Sequence, residues 1–370
     1  MMSSCISAIG IANPEYSVSQ EEAFDFMVKS FGLDNSQALR LKSIYDHSSI
    51  EKRYTVIEDF KRSNPEEFTF FENRPDEPVF ASTKNRLQLY QQEAIKIAVK
   101  AARNCAAQFD TDIFEQVTHL VTVSCTGMYA PGLDIDLVEQ LNLKRTTERT
   151  CITFMGCYGA INGLKTADYI CRANPDAKVL VVSVELCTLH FQKENTLDNW
   201  VANSLFSDGS AAALVENSAN HSGNKPCLEL NSFYSEFMPE SRNEMGWYVG
   251  NTGFEMKLTS KVPKQIHRHI KALTERMVAR AGFTPQQIGA YAVHPGGRKI
   301  LEAVEQALDL PEESNLHAYE VLRQYGNMSS ATILFVLNKM LQAGGLQNEH
   351  IASYAFGPGL TVEGMVLTMQ

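Results

Sequence analysis

An α/β protein of five alternating layers, αβαβα, assembled by internal duplication of two similar halves, is the fold this sequence predicts. Three observations lead there. Helical and strand patterns alternate along nearly the whole chain, as they do where helices pack on mixed or parallel sheets. The order of those patterns repeats once. No tract rich in Pro, Gly or Ser interrupts them, and the most polar stretch, Glu216 to Lys225 (ENSANHSGNK), is the natural boundary between an N-terminal half, 1–217, and a C-terminal half, 226–370.

In the first half, EAIKIAVKAARNCAAQ has the period of an amphipathic helix, and HLVTVSC reads as a buried strand ending at Cys125. Gly156-Cys157 then opens a helix that carries Ala160, Leu164, Ala167 and Cys171 on one face, and the apolar strand VLVVSVEL follows. The second half repeats this order. HRHIKALTERMVARAG is helical, and IGAYAV is a buried strand that ends at His294 and is broken by Pro295, Gly296 and Gly297. Gly326-Asn327 then opens a helix carrying Ile333, Leu334, Leu337 and Leu341, followed by the strand IASYAF. The steps from Cys125 to Cys157 and from His294 to Asn327 are nearly equal, and both helices are apolar enough for the centre of the molecule.

Composition bounds the function. Of 370 residues, 44% are hydrophobic and 21% charged, an ordinary balance for a folded globular chain. A net charge of -10 disfavours nucleic acid and anionic membrane surfaces as partners. No apolar run approaches the roughly 18 residues of a spanning helix, and no secretory signal opens the chain, so a cytoplasmic protein without membrane insertion is expected. The 8 cysteines contain no CxxC pair, which suggests reduced thiols and no metal. His267 and His269 do not share a helix face and read as surface residues. Neither nucleotide-binding glycine signature is present.

Three residues carry chemistry. Cys157, in TFMGCYGAING, sits where a strand turns into a helix; the helix N-terminus would lower its pKa and make it a nucleophile, unless it only fills a tight helix–strand contact. His294 ends a strand at the sheet edge where ligands collect; it can exchange protons with a thiol or an oxyanion, or simply cap a loop. Asn327, in YGNMSSATILF, can donate to a thioester or enolate oxygen, or serve as a helix N-cap.

Taken together and in this order, GCYGA, LFSDGSAAAL, HPGGRKIL, YGNMSSATILF and FGPGLTVE resemble the chalcone synthase-like, type III polyketide synthase family over nearly the whole chain. The resemblance implies a thiolase-like fold, a homodimer, and an acyltransferase that condenses malonyl-CoA onto an acyl-CoA starter with no cofactor beyond the CoA thioesters. It implies that Cys157 carries the acyl chain, that His294 and Asn327 promote decarboxylation, and that Phe206 is the gatekeeper aromatic between CoA tunnel and cavity. Met256, Trp247, His190, Cys125, Ser329, Gly296, Gly297, Gly357, Pro358 and Gly359 fall at substrate-binding positions, and Arg40, Lys42 and His47 at those that hold CoA, although a solvated basic helix face explains these three as well.

The chain departs from plant members. Ala130 stands where their cross-dimer loop has Met before Pro-Gly. Met256 falls near the second gatekeeper aromatic, Trp247 at a pocket glycine and His190 at a small threonine. The segment MGWYVGNTGFEMKLTSKVP is similar to bacterial members instead. A ketoacyl synthase III-like enzyme fed by an acyl carrier protein shares the triad and is the alternative. A papain-like hydrolase also orders Cys, His and Asn this way but has a different cysteine signature. A catalytically silent dimer partner would have little reason to keep all three residues.

Overall fold

The computed structural model describes residues 3–62, 64–71, 81–221 and 225–370. Apolar content sorts its helices into layers. Thr332–Ala343 buries Ile333, Leu334, Phe335, Val336 and Leu337 completely, and a helix whose leading turns are apolar all round belongs inside the protein there. Each such side chain contributes about 1.5–3 kcal/mol on burial. Thr83–Ala106 instead buries one stripe, Tyr90, Ala94, Ile97, Ala98, Ala101 and Cys105, and keeps a polar face outward. It lies on an outer surface, begun by a Ser82 cap that accepts from the Asn85 N–H.

The five layers follow. The outer helix Thr83–Ala106 packs on strands Ser4–Ala12, Lys178–Leu186 and Asp208–Asn217. Two central helices, Gly159–Ala173 and Thr332–Ala343, lie beneath and touch strands of both halves. On the far side, Val262–Arg280 packs on Leu228–Phe237 and Thr361–Met369, beside Arg298–Leu308. The outer helix approaches the first strand so closely that a Cβ at Gly10 would lie 2.1 Å from the Cys105 nitrogen.

Strand pairing shows the duplication. In the N-terminal half, His119–Ser124 pairs parallel with Lys178–Leu186, which pairs antiparallel with Asp208–Asn217, which pairs antiparallel with Ser4–Ala12. In the C-terminal half, Ile288–Val293, His350–Gly357, Thr361–Met369 and Leu228–Phe237 pair in the same sequence of senses. The N-terminal half adds an edge strand, Glu148–Thr153. The halves are not separate sheets: Ser4, Cys5 and Ile6 pair with Leu230, Glu229 and Leu228, joining nine strands into one sheet.

Two expectations need adjusting. Asn327 does not open the second central helix. It bridges Phe206 in a short parallel contact, and a 3₁₀ turn, Ser329–Ala331, intervenes before the helix starts at Thr332. In the boundary segment Glu216–Lys225, residues 222–224 lie outside the described residues; a strand ends at Asn217 and a 3₁₀ turn covers Ser218–Asn220.

Candidate active site

Cys157 is presented by a sharp elbow. The edge strand ends at Thr153, Phe154 (φ 58°) and Gly156 (φ 76°) take left-handed conformations, and a 3₁₀ turn over Gly156–Tyr158 feeds the helix Gly159–Ala173. Only glycine suits position 156, because a Cβ there would also lie 2.5 Å from Cδ of Pro358. Pro358 thereby locks the elbow from the C-terminal half. Gly357 closes in behind it, against Tyr158 and the Met155 carbonyl.

His294 follows the strand Ile288–Val293, with its backbone N–H donating to the Tyr354 carbonyl at 2.8 Å. Its ring is buried, and among the described residues neither ring nitrogen has a hydrogen-bond partner. Asn327 is held on every side. Its Oδ1 accepts from the Ser329 N–H at 2.9 Å and its Nδ2 donates to the Gly296 carbonyl at 3.2 Å. Its backbone N–H donates to Leu205 O and its carbonyl accepts from the Ser207 N–H, both at 2.9 Å. One amide N–H is left over for the site itself, turned to the Cys157 thiol.

Two cavities meet at this place. The outer one, about 1550 Å³ with its open mouth, is lined by Cys157, His294 and Asn327 together, with Phe206, Met256, Gly296, Gly297 and His47. The inner one, about 770 Å³ counting the open space at its mouth, is lined by Cys125, Cys157, His190, Phe206, Trp247, Met256, Ser329 and Pro358. Cys157, Phe206 and Met256 therefore stand at the junction. Arg53 steadies that junction by donating to the Phe206 carbonyl at 2.8 Å and the Asn203 carbonyl at 2.7 Å.

The inner wall is aromatic. His190 stacks on Phe254 with ring centroids 4.3 Å apart, and Trp247 meets both edge-on. Trp247 and Met256 are cross-strand partners in the hairpin Met245–Gly250/Gly253–Leu258, which sets both side chains on the same face. Trp247 Nε1 donates to the Cys125 carbonyl at 2.7 Å. His190 Nδ1 accepts from the Phe254 N–H at 2.9 Å, so its proton lies on Nε2, donated to the Thr126 carbonyl at 2.6 Å.

Burial governs the protonation states. It pushes the Cys157 thiol up to about 12, against Ser329 and Asn327, whose hydrogen bonds pull it down. This corrects the expectation that a helix N-terminus lowers it: the helix proper starts two residues on, and desolvation outweighs the dipole. Burial also drops His294 to about 3. Thiol and imidazole are thus both neutral near pH 7, and a proton passed from one to the other changes no net charge.

Other sites fall less centrally. Ala130 is exposed and lines neither cavity of its own chain; nor do Gly357 and Gly359. Arg40 is exposed and Lys42 pairs with Asp46, so of the three basic candidates only His47 reaches the outer cavity. Its mouth carries two cations that sequence reading missed, Arg298 and Lys299, at the start of Arg298–Leu308. Glu185 was missed too. Fully buried, it accepts from the Cys125 N–H at 3.0 Å, from Thr126 Oγ1 at 2.8 Å and from Ser330 Oγ, beneath a Cys125 Sγ that lies 3.2 Å from Ser329 Oγ. An acid inside the end of the apolar run VLVVSVEL, ahead of Leu186, was its signal.

Comparison with known proteins agrees over the full length. Residues 2–219 match the family model for chalcone and stilbene synthases, N-terminal domain, and residues 229–369 the C-terminal one. The chain is 30% identical over 364 residues to the alpha-pyrone synthesis polyketide synthase-like Pks18 of Mycobacterium tuberculosis, covering 98% of this chain and 90% of that protein. It is 32% identical over 369 residues to a putative chalcone synthase of Bacillus subtilis, covering 97% and 96%. The crystal structure of PKS-I from the brown alga Ectocarpus siliculosus superposes with a TM-score of 0.90 at 28% identity, covering 100% of this chain and 99% of that one.

Proposed function

The chain belongs to the chalcone and stilbene synthase family and is a type III polyketide synthase, and on that premise we propose that Cys157 carries the growing acyl chain while His294 and Asn327 drive decarboxylative extension. The observation that carries this reading is the shared cavity: all three side chains line one space that opens to solvent. His294 accepts the Cys157 proton, the thiolate attacks the starter thioester, and CoA leaves. Malonyl-CoA then enters, and the leftover Asn327 N–H and the protonated His294 ring donate to the thioester oxygen as CO₂ departs. The resulting enolate carbon attacks the Cys157 thioester and releases the thiolate. The inner cavity, with its aromatic wall, receives the lengthening chain and shields it from hydrolysis.

We assign the nucleophile to an N-terminal half, 1–217, and the proton-transfer and donor groups to a C-terminal half, 226–370. Arg298, Lys299 and His47 at the outer mouth suit the phosphates of CoA. The exposed edge strand Glu148–Thr153, beside exposed Met128 and Ala130, suits a homodimer interface. Eight unpaired cysteines suit the cytosol; no helix among the described residues is long and apolar enough to cross a membrane.

The test incubates the purified protein with malonyl-CoA and a panel of short, long and aromatic acyl-CoA starters, beside Cys157→Ala, and reads products by mass. Extension by the wild type alone supports the assignment. Turnover that appears only with an acyl carrier protein, or that survives Cys157→Ala, overturns it.

A further inference from the structure

The eight cysteines contain no ligand pattern in sequence, but the fold assembles one far from both cavities. Cys5, His221 and Cys227 each place a donor atom within 4.8 Å of the other two. Cys5 and Cys227 are buried and the His221 side chain is 11% exposed. The cluster sits at the seam of the two halves: Cys5 lies on the three-residue pairing that joins the sheets, and Cys227 just precedes the strand Leu228–Phe237.

The arrangement of lone pairs carries the inference. His221 Nε2 lies 2.8 Å from the Lys225 carbonyl, which can only accept, so Nε2 bears a proton and Nδ1 is the ring nitrogen turned to the cluster. That nitrogen lies 3.7 Å from Glu216 Oε1. Glu216 is buried and is the cross-strand partner of Cys5. Its other oxygen is taken by Lys178. Two thiols and an imidazole nitrogen thus converge, with a buried carboxylate oxygen beside the imidazole. A histidine whose far nitrogen is oriented by a backbone carbonyl is the usual outer-shell arrangement of a metal ligand.

We propose that Cys5, His221 and Cys227 bind one Zn²⁺ that clasps the junction between the halves, its fourth position taken by water or by the Glu216 carboxylate beside His221. Two thiolates with an imidazole favour zinc over hard cations and suit four-coordination. With Zn–S near 2.3 Å, the donors draw in by about an ångström on binding. The two cysteines lose their protons as metal enters, and Lys178 offsets the added negative charge. The site is structural, because none of its residues lines either cavity.

The test uses the full chain carrying Cys157→Ala, which removes the active-site thiol as a competing ligand. One equivalent of Co²⁺ should be taken up, with the intense thiolate-to-cobalt absorption and visible bands of a tetrahedral site, and Zn²⁺ should displace it. Cys227→Ser and His221→Ala should each weaken uptake at least tenfold and abolish the rise in melting temperature that Zn²⁺ gives the parent. In the wild-type background the same two variants should leave condensation rates unchanged. No uptake at micromolar free metal overturns the proposal. So does uptake indifferent to both variants, or an intact mass showing Cys5 and Cys227 already joined as a disulfide.

Discussion

Substituting Gly156 by alanine tests the idea that the elbow, rather than the helix dipole, makes Cys157 reactive. Position 156 holds φ 76°, and the new Cβ would stand 2.5 Å from Pro358 Cδ. The left-handed backbone costs about 1–2 kcal/mol for a non-glycine residue, and overpacking against a proline ring adds roughly 1–3 kcal/mol. The total is on the order of 2–5 kcal/mol. Gly32 supplies an internal control: it has φ 58° at the end of helix Gln20–Phe31, but a Cβ there meets nothing within 4 Å. Gly32→Ala should therefore cost only the backbone share. Both variants would be compared by melting temperature, by alkylation of Cys157 and by kcat/KM for a good starter. Gly156→Ala should melt lower than Gly32→Ala and, because the nucleophile is displaced by a fraction of an ångström to an ångström, lose about 100-fold in kcat/KM. If the two variants melt together and Gly156→Ala stays within about threefold of wild type, the reasoning fails.

Asn327→Ala and Asn327→Asp should both lose 10²–10³-fold, roughly, in extension, while starter loading on Cys157, read by intact mass, persists; loss of loading instead would mean that Asn327 holds the elbow rather than the enolate. Trp247→Ala opens the inner wall and should shift product masses toward longer or bulkier chains; an unchanged product distribution would remove Trp247 from the cavity's size limit. His190 and His294 are held neutral by burial, each with a pKa near 3. The unfolded chain takes up protons below about pH 6.5 that the folded chain refuses, so stability is lost as pH falls through that window, by up to ~1.4 kcal/mol per unit for each histidine. His190→Gln should flatten the decline between about pH 6.5 and 4.5 by up to ~3 kcal/mol; a melting profile parallel to wild type would refute its buried neutral state.

Much of this site was readable in one dimension because periodicity and punctuation are local. Gly156-Cys157 between a strand and an apolar helix, and His294 before Pro-Gly-Gly, declared their positions through elements that the structure contains. Asn327 misled as a helix start because NMSSA has the composition of an N-cap, whereas the bridge to Phe206 and a left-handed Ser329 (φ 46°) delay the helix by five residues. What sequence could not supply was anything set by long-range pairing. Trp247 and Met256 share a wall because of hairpin register. The Cys5, His221 and Cys227 cluster needs the seam between halves to exist first.

Duplication also explains how a single cavity acquires opposite chemical roles. Cys125 and His294 follow equivalent strands, His119–Ser124 and Ile288–Val293, while Cys157 and Asn327 each follow a glycine of positive φ, Gly156 (76°) and Gly326 (67°), ahead of the two central helices. Those helices are layered between the same sheet surfaces, so their leading ends converge, and Cys157 meets His294 and Asn327 at the outer cavity while it meets Cys125 at the inner one. Had both halves kept the same side chains, the site would hold two nucleophiles or two bases. Instead one half offers thiols and the other an imidazole and an amide, and decarboxylative condensation needs both: a thiolate to hold the acyl chain and N–H donors to carry an enolate's charge. The short Ser4–Ile6 pairing with Leu228–Leu230 joins those halves into one sheet, and that backbone ladder sets the register in which the two sets of residues meet.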